Sequence, residues 1–335
     1  MRPQLLPPNV LHHFYAGGAQ LAALRGVHLA DDHMPEEWLG AVNTTFAAAD
    51  GRGLSRLDDG TLVRDAVEAD PEAWLGPEHV ARFGADPCLL TKLLDAGQRL
   101  PVHFHPGRAF ACDALGHAHG QTVAGVILTA EPGATVHAGF KHPVELATVR
   151  EWMRTQDSAA MLAALHELPV TAGDTLFVPA GTPHSIGAGI LLVELQEPTD
   201  LSVTLEWTGF ELGEDDGHLG LGWPRALEAL DRSAWDERRL AALRGPITPR
   251  QLLPADADPY FRAERVAGGE TLDPGFSVLV GIAGTGTLAT AEAVLEFGRG
   301  RVVLSPYSAG ELVLEGDVEG LRCRPPDPAM GEGKW

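Results

Sequence analysis

Lysine is almost missing from this chain of 335 residues: Lys92, Lys141 and Lys334 are all there is. Arginine carries nearly all the positive charge, and 25 basic residues stand against 46 acidic ones, a formal net charge of −21. Such a field argues against nucleic acid and anionic membrane as partners, since both call for basic surface. An anionic ligand would have to be met by a local group of cations. Cysteine is scarce too. Cys88, Cys112 and Cys323 are scattered, odd in number and form no CxxC pair, which fits a reducing compartment better than a disulfide scaffold. No apolar run reaches the roughly 18 residues of a membrane helix. The opening Met1-Arg2-Pro3-Gln4-Leu5-Leu6-Pro7-Pro8 is too short and proline-rich for a secretory signal, so the expected location is the cytoplasm.

What is present is an ordinary globular composition, 44% apolar and 21% charged, in a chain long enough for two or three domains. Within it, Leu100-Pro101-Val102-His103-Phe104-His105-Pro106 stands out. On a strand, His103 and His105 share one face and Val102 and Phe104 the other. Two imidazoles on one strand face begin a metal site, because neutral imidazole is a common ligand. A third candidate, His184, follows the apolar run Thr175–Val178 and the turn Pro179-Ala180-Gly181-Thr182-Pro183. A lone histidine in an apolar run is usually a hydrogen-bonded core residue. Three in this arrangement, that of the cupin barrels, point instead to one bound metal.

Around these residues the pattern is mainly β. Leu21–Val27 reads as a short helix and Met34–Gly40 as a helix start with acids near its positive end. Asp50-Gly51 and Asp59-Gly60 predict tight turns, and Asp70–Gly76 a capped helical turn. Strands are expected over Cys88–Asp95, Thr122–Thr129, Val170–Pro179, Gly189–Leu195 and Asp200–Trp207, with one or two helical turns over Arg108–Leu115. Val144–Leu165 has helical spacing broken at Asp157-Ser158, an insertion between barrel strands. Residues 211–222 read as an acidic loop and Arg225–Leu243 as a helix. Beyond 251 short strands separated by glycine turns suggest a jelly roll. Gly300-x5-Pro306 there echoes Gly173-x5-Pro179, but no histidine follows residue 250.

Most of the chain resembles the class I mannose-6-phosphate isomerases, zinc-dependent bicupins. Pro35–Gly40 resembles an early segment of bacterial members. Leu89–Pro106 resembles "LLxKxLDAxxxLxVxxHP", and Ala172–Ile186 resembles the more specific "AGDxxFVPAGTxHAI". Glu194-x-Gln196 with Thr199-Asp200 resembles "ExQxxSD". Three positions depart. His103 replaces a ligand glutamine, Val123 replaces the ligand glutamate of "GKTExW", and Thr204 replaces the arginine of "SDxTYR". The ligands implied are His103, His105 and His184; His117, His119 and Gln121 lie just before the changed strand and could compensate for Val123.

The resemblance implies a mainly β bicupin with helical insertions: an N-terminal segment over 1–85, a catalytic cupin over 86–210 with its helical insertion at about 144–166, a linker with helices over 211–250 and a degenerate cupin over 251–335. It implies an aldose–ketose isomerase interconverting mannose 6-phosphate and fructose 6-phosphate through a cis-enediol, with one divalent metal, zinc. Glu194 and Lys141 are the candidate bases; Arg108, Lys92 and Gln196 are candidate substrate-binding residues. Thr204 and the acidic net charge also admit an unphosphorylated sugar. A tri-histidine cupin of another class, an iron dioxygenase or a non-catalytic sugar-binding protein, shares the ligand pattern.

Overall fold

The computed structural model describes residues 1–46 and 48–329. Three sheets organise it. A back sheet of seven strands has at its centre Thr175–Val178, Val123–Ala130, Ile190–Gln196, Leu90–Ala96 and Glu36–Leu39, all antiparallel neighbours in that order. A front sheet of five strands runs Val203–Thr204, His103–Phe104, His184–Ile186, Thr135–Phe140 and Leu165–Pro169. Together they form the first cupin. The third sheet, of seven strands, is built mainly from Arg262–Ala267, Ser277–Ala289, Val302–Ser305 and Leu312–Arg324 and forms the second.

The strand Ile190–Gln196 shows why the back sheet sits where it does. All seven residues are buried, as expected where both faces are covered. Leu191, Val193 and Leu195 join Val278, Val280, Leu304 and Leu321 in the large core between the cupins. Ile190 and Leu192 join Leu94, Ile127, Val136 and Ile186 inside the first. Strand alternation then puts Glu194 and Gln196 on that inner face as well. Lys92 pairs across from Glu194, so the interior is apolar at one end and charged at the other.

The front sheet has its own backing. Val102, Phe104, Val203 and Leu205 pack with Val149, Met153 and Met161 from the helices Leu146–Thr155 and Ser158–Ala164. Asp157 separates those helices and caps the second, accepting from Ala160 N at 2.9 Å. The expected helices Ala19–Arg25, Pro71–Leu75 and Arg108–Leu115 are present. Among the described residues no helix is long and apolar enough to cross a membrane.

Two helix expectations fail. Glu36–Leu39 is a strand, not a helix start. Both acids are buried against distant partners, Glu36 by Lys92 and Glu37 by Arg25, and those ion pairs hold the segment extended in the sheet. Arg225–Leu243 is not one helix but Trp223–Ala226, a 3-10 turn at Leu227–Ala229 and Glu237–Ala241. Between them Trp235 fills a space beside Gly139, where a Cβ would lie 2.5 Å from its ring, and Trp235 N donates to Phe140 O at 2.8 Å.

Candidate metal centre

His103 and His184 face each other across adjacent front strands, and His105 follows directly after the first. Their ring centroids are 4.1 Å apart for His103 and His184, 5.0 Å for His105 and His184, and 5.1 Å for His103 and His105. One ligand nitrogen from each falls within 4.8 Å of the others, and all three residues are buried. Each ring lies with Nδ1 against a backbone carbonyl: His103 on Pro101 O at 2.8 Å, His184 on Thr182 O at 2.9 Å, His105 on Leu201 O at 3.2 Å. An Nδ1–H donated to a carbonyl leaves the lone pair on Nε2, the arrangement that fixes metal-binding imidazoles. Burial lowers the pKa of all three, His103 to about 4, and the neighbouring imidazoles lower His105 and His184 further. The rings are therefore neutral near pH 7, as ligands must be. Three nitrogen donors in a buried cluster fit a divalent ion such as zinc with open positions left over.

His103 and His105 border a cavity of about 310 Å³. Opposite His103 and His105, the back sheet contributes Lys92, Glu36 and Glu194. Glu36 accepts from Tyr15 Oη at 2.7 Å and Trp38 Nε1 at 2.9 Å, and lies 3.3 Å from both Lys92 Nζ and His13 Nε2. Burial would raise its pKa, but His13 and Lys92 hold it well below the ordinary value. Lys92 Nζ is also 3.8 Å from Glu194. Burial alone would lower the Lys92 pKa, yet Glu36 and then Glu194 keep it raised. Glu194 is the carboxyl left short of partners: burial pushes its pKa up to about 7, against the pull of Lys92.

Of the other residues singled out by sequence, Thr204 and Gln121 line the cavity. Thr204 pairs with His103. Gln121 Oε1 accepts from Leu201 N, and Leu201 O holds His105, so this side chain braces a ligand rather than replacing one. Val123 is buried opposite Gln196 at the start of its strand. Gln196 is buried and its amide donates to Thr199 O, pinning the loop after the strand. Arg108 and Lys141 are not brought to the cavity. Arg108 pairs with Glu197 and lies 4.5 Å over the Tyr260 ring, while Lys141 is exposed and donates to Ala163 O at 2.9 Å. His119 bonds Asp86 instead, at 2.7 Å.

Sequence reasoning missed Glu36, Tyr15, Asp200 and Arg52, all cavity-lining. Two of them had a signal, Glu36 in the Pro35–Gly40 segment and Asp200 in Thr199-Asp200, and the local chemistry around Glu36 pointed to a helix. Arg52 donates from Nε to Thr45 Oγ1 at 3.3 Å and is otherwise exposed at the cavity rim.

The fold and the triad define the class: a bicupin with three buried histidines placed to hold one metal ion. No family model matches the chain. It is 30% identical over 227 residues to a mannose-6-phosphate isomerase of Streptococcus mutans, a match covering 65% of this chain and 64% of that protein. It is 29% identical over 240 residues to the mannose-6-phosphate isomerase ManA of Bacillus subtilis, covering 69% and 73%. A mannose 6-phosphate isomerase solved with zinc and yttrium superposes with a TM-score of 0.74 at 16% identity, over 98% of this chain and all of that one. The chain is thus similar to mannose-6-phosphate isomerases over about two thirds of its own length, and it spans 64% of the Streptococcus mutans protein.

Proposed function

We propose that the protein is a metal-dependent aldose–ketose isomerase interconverting mannose 6-phosphate and fructose 6-phosphate in the cytoplasm, with one zinc-like divalent ion held by His103, His105 and His184. The observation that carries this reading is a buried cluster of three neutral imidazoles, two of which, His103 and His105, line one cavity with the Glu194–Lys92 pair. The names of the relatives, and the zinc of the solved neighbour, point the same way. When bound, the ion supplies a Lewis acid that polarises the sugar carbonyl. Glu194 takes the proton from C2 of the open-chain aldose and returns it to C1 of the enediol, while the O2 hydroxyl proton passes to O1; a carboxyl with its pKa near 7 suits both carbon steps. Lys92, fixed by Glu36, presents its ammonium to the developing enediolate oxygen. Tyr15 and Trp38 hold Glu36 so that it does not compete for the proton.

Glu36, Glu194, Asp200, Glu211 and Asp216 make the cavity acidic, and Lys92 is already engaged. The phosphate is therefore received at the rim, at Arg52. In this division of labour residues 86–210 perform the chemistry and 251–335 support the back sheet. The test is metal content together with turnover of mannose 6-phosphate and of mannose. Turnover that chelation abolishes and zinc restores is expected, as is a raised KM for mannose 6-phosphate in Arg52→Ala. A fully metallated protein inert on both sugars would overturn the proposal. Val123→Glu sharpens it: a gain in turnover would mean that a fourth ligand limits the native site.

A further inference from the structure

A second group of metal-ligating side chains lies away from the cavity, and the proposed function makes no use of it. Asp86 and Cys88 sit in the loop between the helix Pro77–Phe83 and the strand Leu90–Ala96. His119 sits in the turn before the strand Val123–Ala130. One ligand atom from each lies within 4.8 Å of the others. We propose that Asp86, Cys88 and His119 form a second, structural site for a thiophilic divalent cation such as zinc.

Four observations carry this. The donors are carboxylate oxygen, thiol sulfur and imidazole nitrogen, a set suited to zinc with a position left for water. The imidazole is already oriented, with Nε2 2.7 Å from Asp86 Oδ2. Its other nitrogen, Nδ1, is buried and has no hydrogen-bond partner, an unusual state for a buried polar atom. Cys88 is buried with φ at +54°, a conformation rare for a residue other than glycine or asparagine. Backbone bonds hold that geometry: Cys88 N donates to Asp86 Oδ1 at 2.7 Å, and Asp86 O accepts from His79 Nε2 at 2.7 Å. The Cys88 thiol now makes only a long contact, 3.5 Å to Asp86 O. Burial and Asp86 raise its pKa, so it is protonated without metal. Binding replaces the S–H bond with an S–metal bond and releases the proton to solvent.

Such an ion would tie the loop that opens the Lys92 strand to the turn that carries Gln121, clamping both approaches to the cavity from outside. Cobalt(II) reports it, because only a thiolate ligand gives a sulfur-to-cobalt charge-transfer band. Neither the histidine triad nor the exposed His12, His33 and Glu211 cluster contains sulfur. The full chain carrying Cys112→Ser, which removes the exposed thiol, is stripped by chelation and titrated with cobalt(II) beyond one equivalent. The expected result is a charge-transfer band that is complete once two cobalt ions per chain are bound, one of them at the histidine triad, that persists in His103→Ala and vanishes in Cys88→Ser. His119→Ala should weaken it and lower the melting temperature of the cobalt form. A spectrum without the band at excess cobalt, or a band that Cys88→Ser retains, overturns the proposal. The first result needs no variant beyond the parent, so it stands even if Cys88→Ser does not fold.

Discussion

The two cupins share a plan and end it differently. In each, a glycine and, six residues later, a proline frame a buried strand, Thr175–Val178 in the first and Val302–Ser305 in the second. After Pro179 the chain brings in His184. After Pro306 it makes a 3-10 turn and brings in Leu312 and Leu314, which fill the second interior with Leu279, Phe297 and Val303. Both interiors also have a charged end. In the second, Arg322 and Arg324 meet Asp273 and Glu264, and Arg250 also reaches Glu264, so that each acid has a cation of its own. In the first, Lys92 and His13 both meet Glu36, and Glu194 has only a longer contact to the same Lys92, beside three neutral imidazoles. A closed set of charges holds a fold together. A set that leaves one carboxyl, Glu194, without a cation of its own, next to open ring nitrogens, is a place for a cation and a proton.

The largest test of that contrast is His105→Ala. Losing only a residue that orients a metal ligand costs about 10–100-fold, so losing the ligand should cut metal affinity and turnover by more than about 100-fold. Metal analysis and a turnover assay check this, and the thermal transition of the metal-free protein should move little. Next is Glu194→Gln. Loss of the proton shuttle should lower kcat by about 100- to 10,000-fold while metal still binds. The native kcat/KM should rise with pH through an ionisation at or below about 7, because Glu194 works deprotonated and a bound cation lowers its pKa from the value near 7. The same residue predicts the opposite trend for stability. Its folded pKa lies above the unfolded value, so ionisation opposes folding, and the metal-free protein loses stability as pH rises from about 4.3 to about 7. Glu194→Gln should remove that loss, as chemical unfolding across this range will read. Gln121→Leu comes third. It frees Leu201 N and loosens the carbonyl that holds His105, so metal affinity should fall by about 10-fold, measured by competition with a chelator.

The triad was legible because strand alternation and a proline–glycine turn are local rules, and so was Glu194, by its place in an alternating strand. Glu36 was not. Pro-Glu-Glu reads as a helix start, and only the ion pairs of Glu36 with Lys92 and of Glu37 with Arg25, on other elements, make it a buried strand. Lys141 and Arg108 were singled out for scarcity and nearness to the histidines, but sequence does not show where a loop turns. One turns Lys141 outward, and Arg108 is taken by Glu197. Arg52, the cation that does reach the rim, is fifty residues upstream of the first ligand. The long strands Ser277–Ala289 and Leu312–Arg324 were divided or shortened in prediction because their glycines read as turns. Pairing along their whole length, with a bulge between Gly281 and Ala283, overrides that signal.

The smallest effect, and the one that sharpens the comparison most, belongs to the closed charge set. Asp273→Asn keeps the shape of the side chain and removes its charge from Arg322 Nη1 and Arg324 Nη2, each 2.7 Å away. Arg322 is fully buried, and breaking a buried pair can cost roughly 3–5 kcal/mol. The Asp273 side chain is 57% exposed, however, and Glu264 remains beside both arginines, so screening reduces the expected loss to about 1 kcal/mol. The sign with pH is the reverse of Glu194. Burial works to raise the Asp273 pKa, but Arg322 and Arg324 bring it down to about 2, below the unfolded value. Its contribution is complete above the unfolded pKa of about 3.9 and is lost as pH falls toward 2. Urea unfolding at about pH 7 should show the deficit, and the variant and parent should converge as the pH approaches about 2. Turnover of mannose 6-phosphate should not change. If it fell as far as in Glu194→Gln, the second charged end would be part of the chemistry and the contrast between the cupins would be lost.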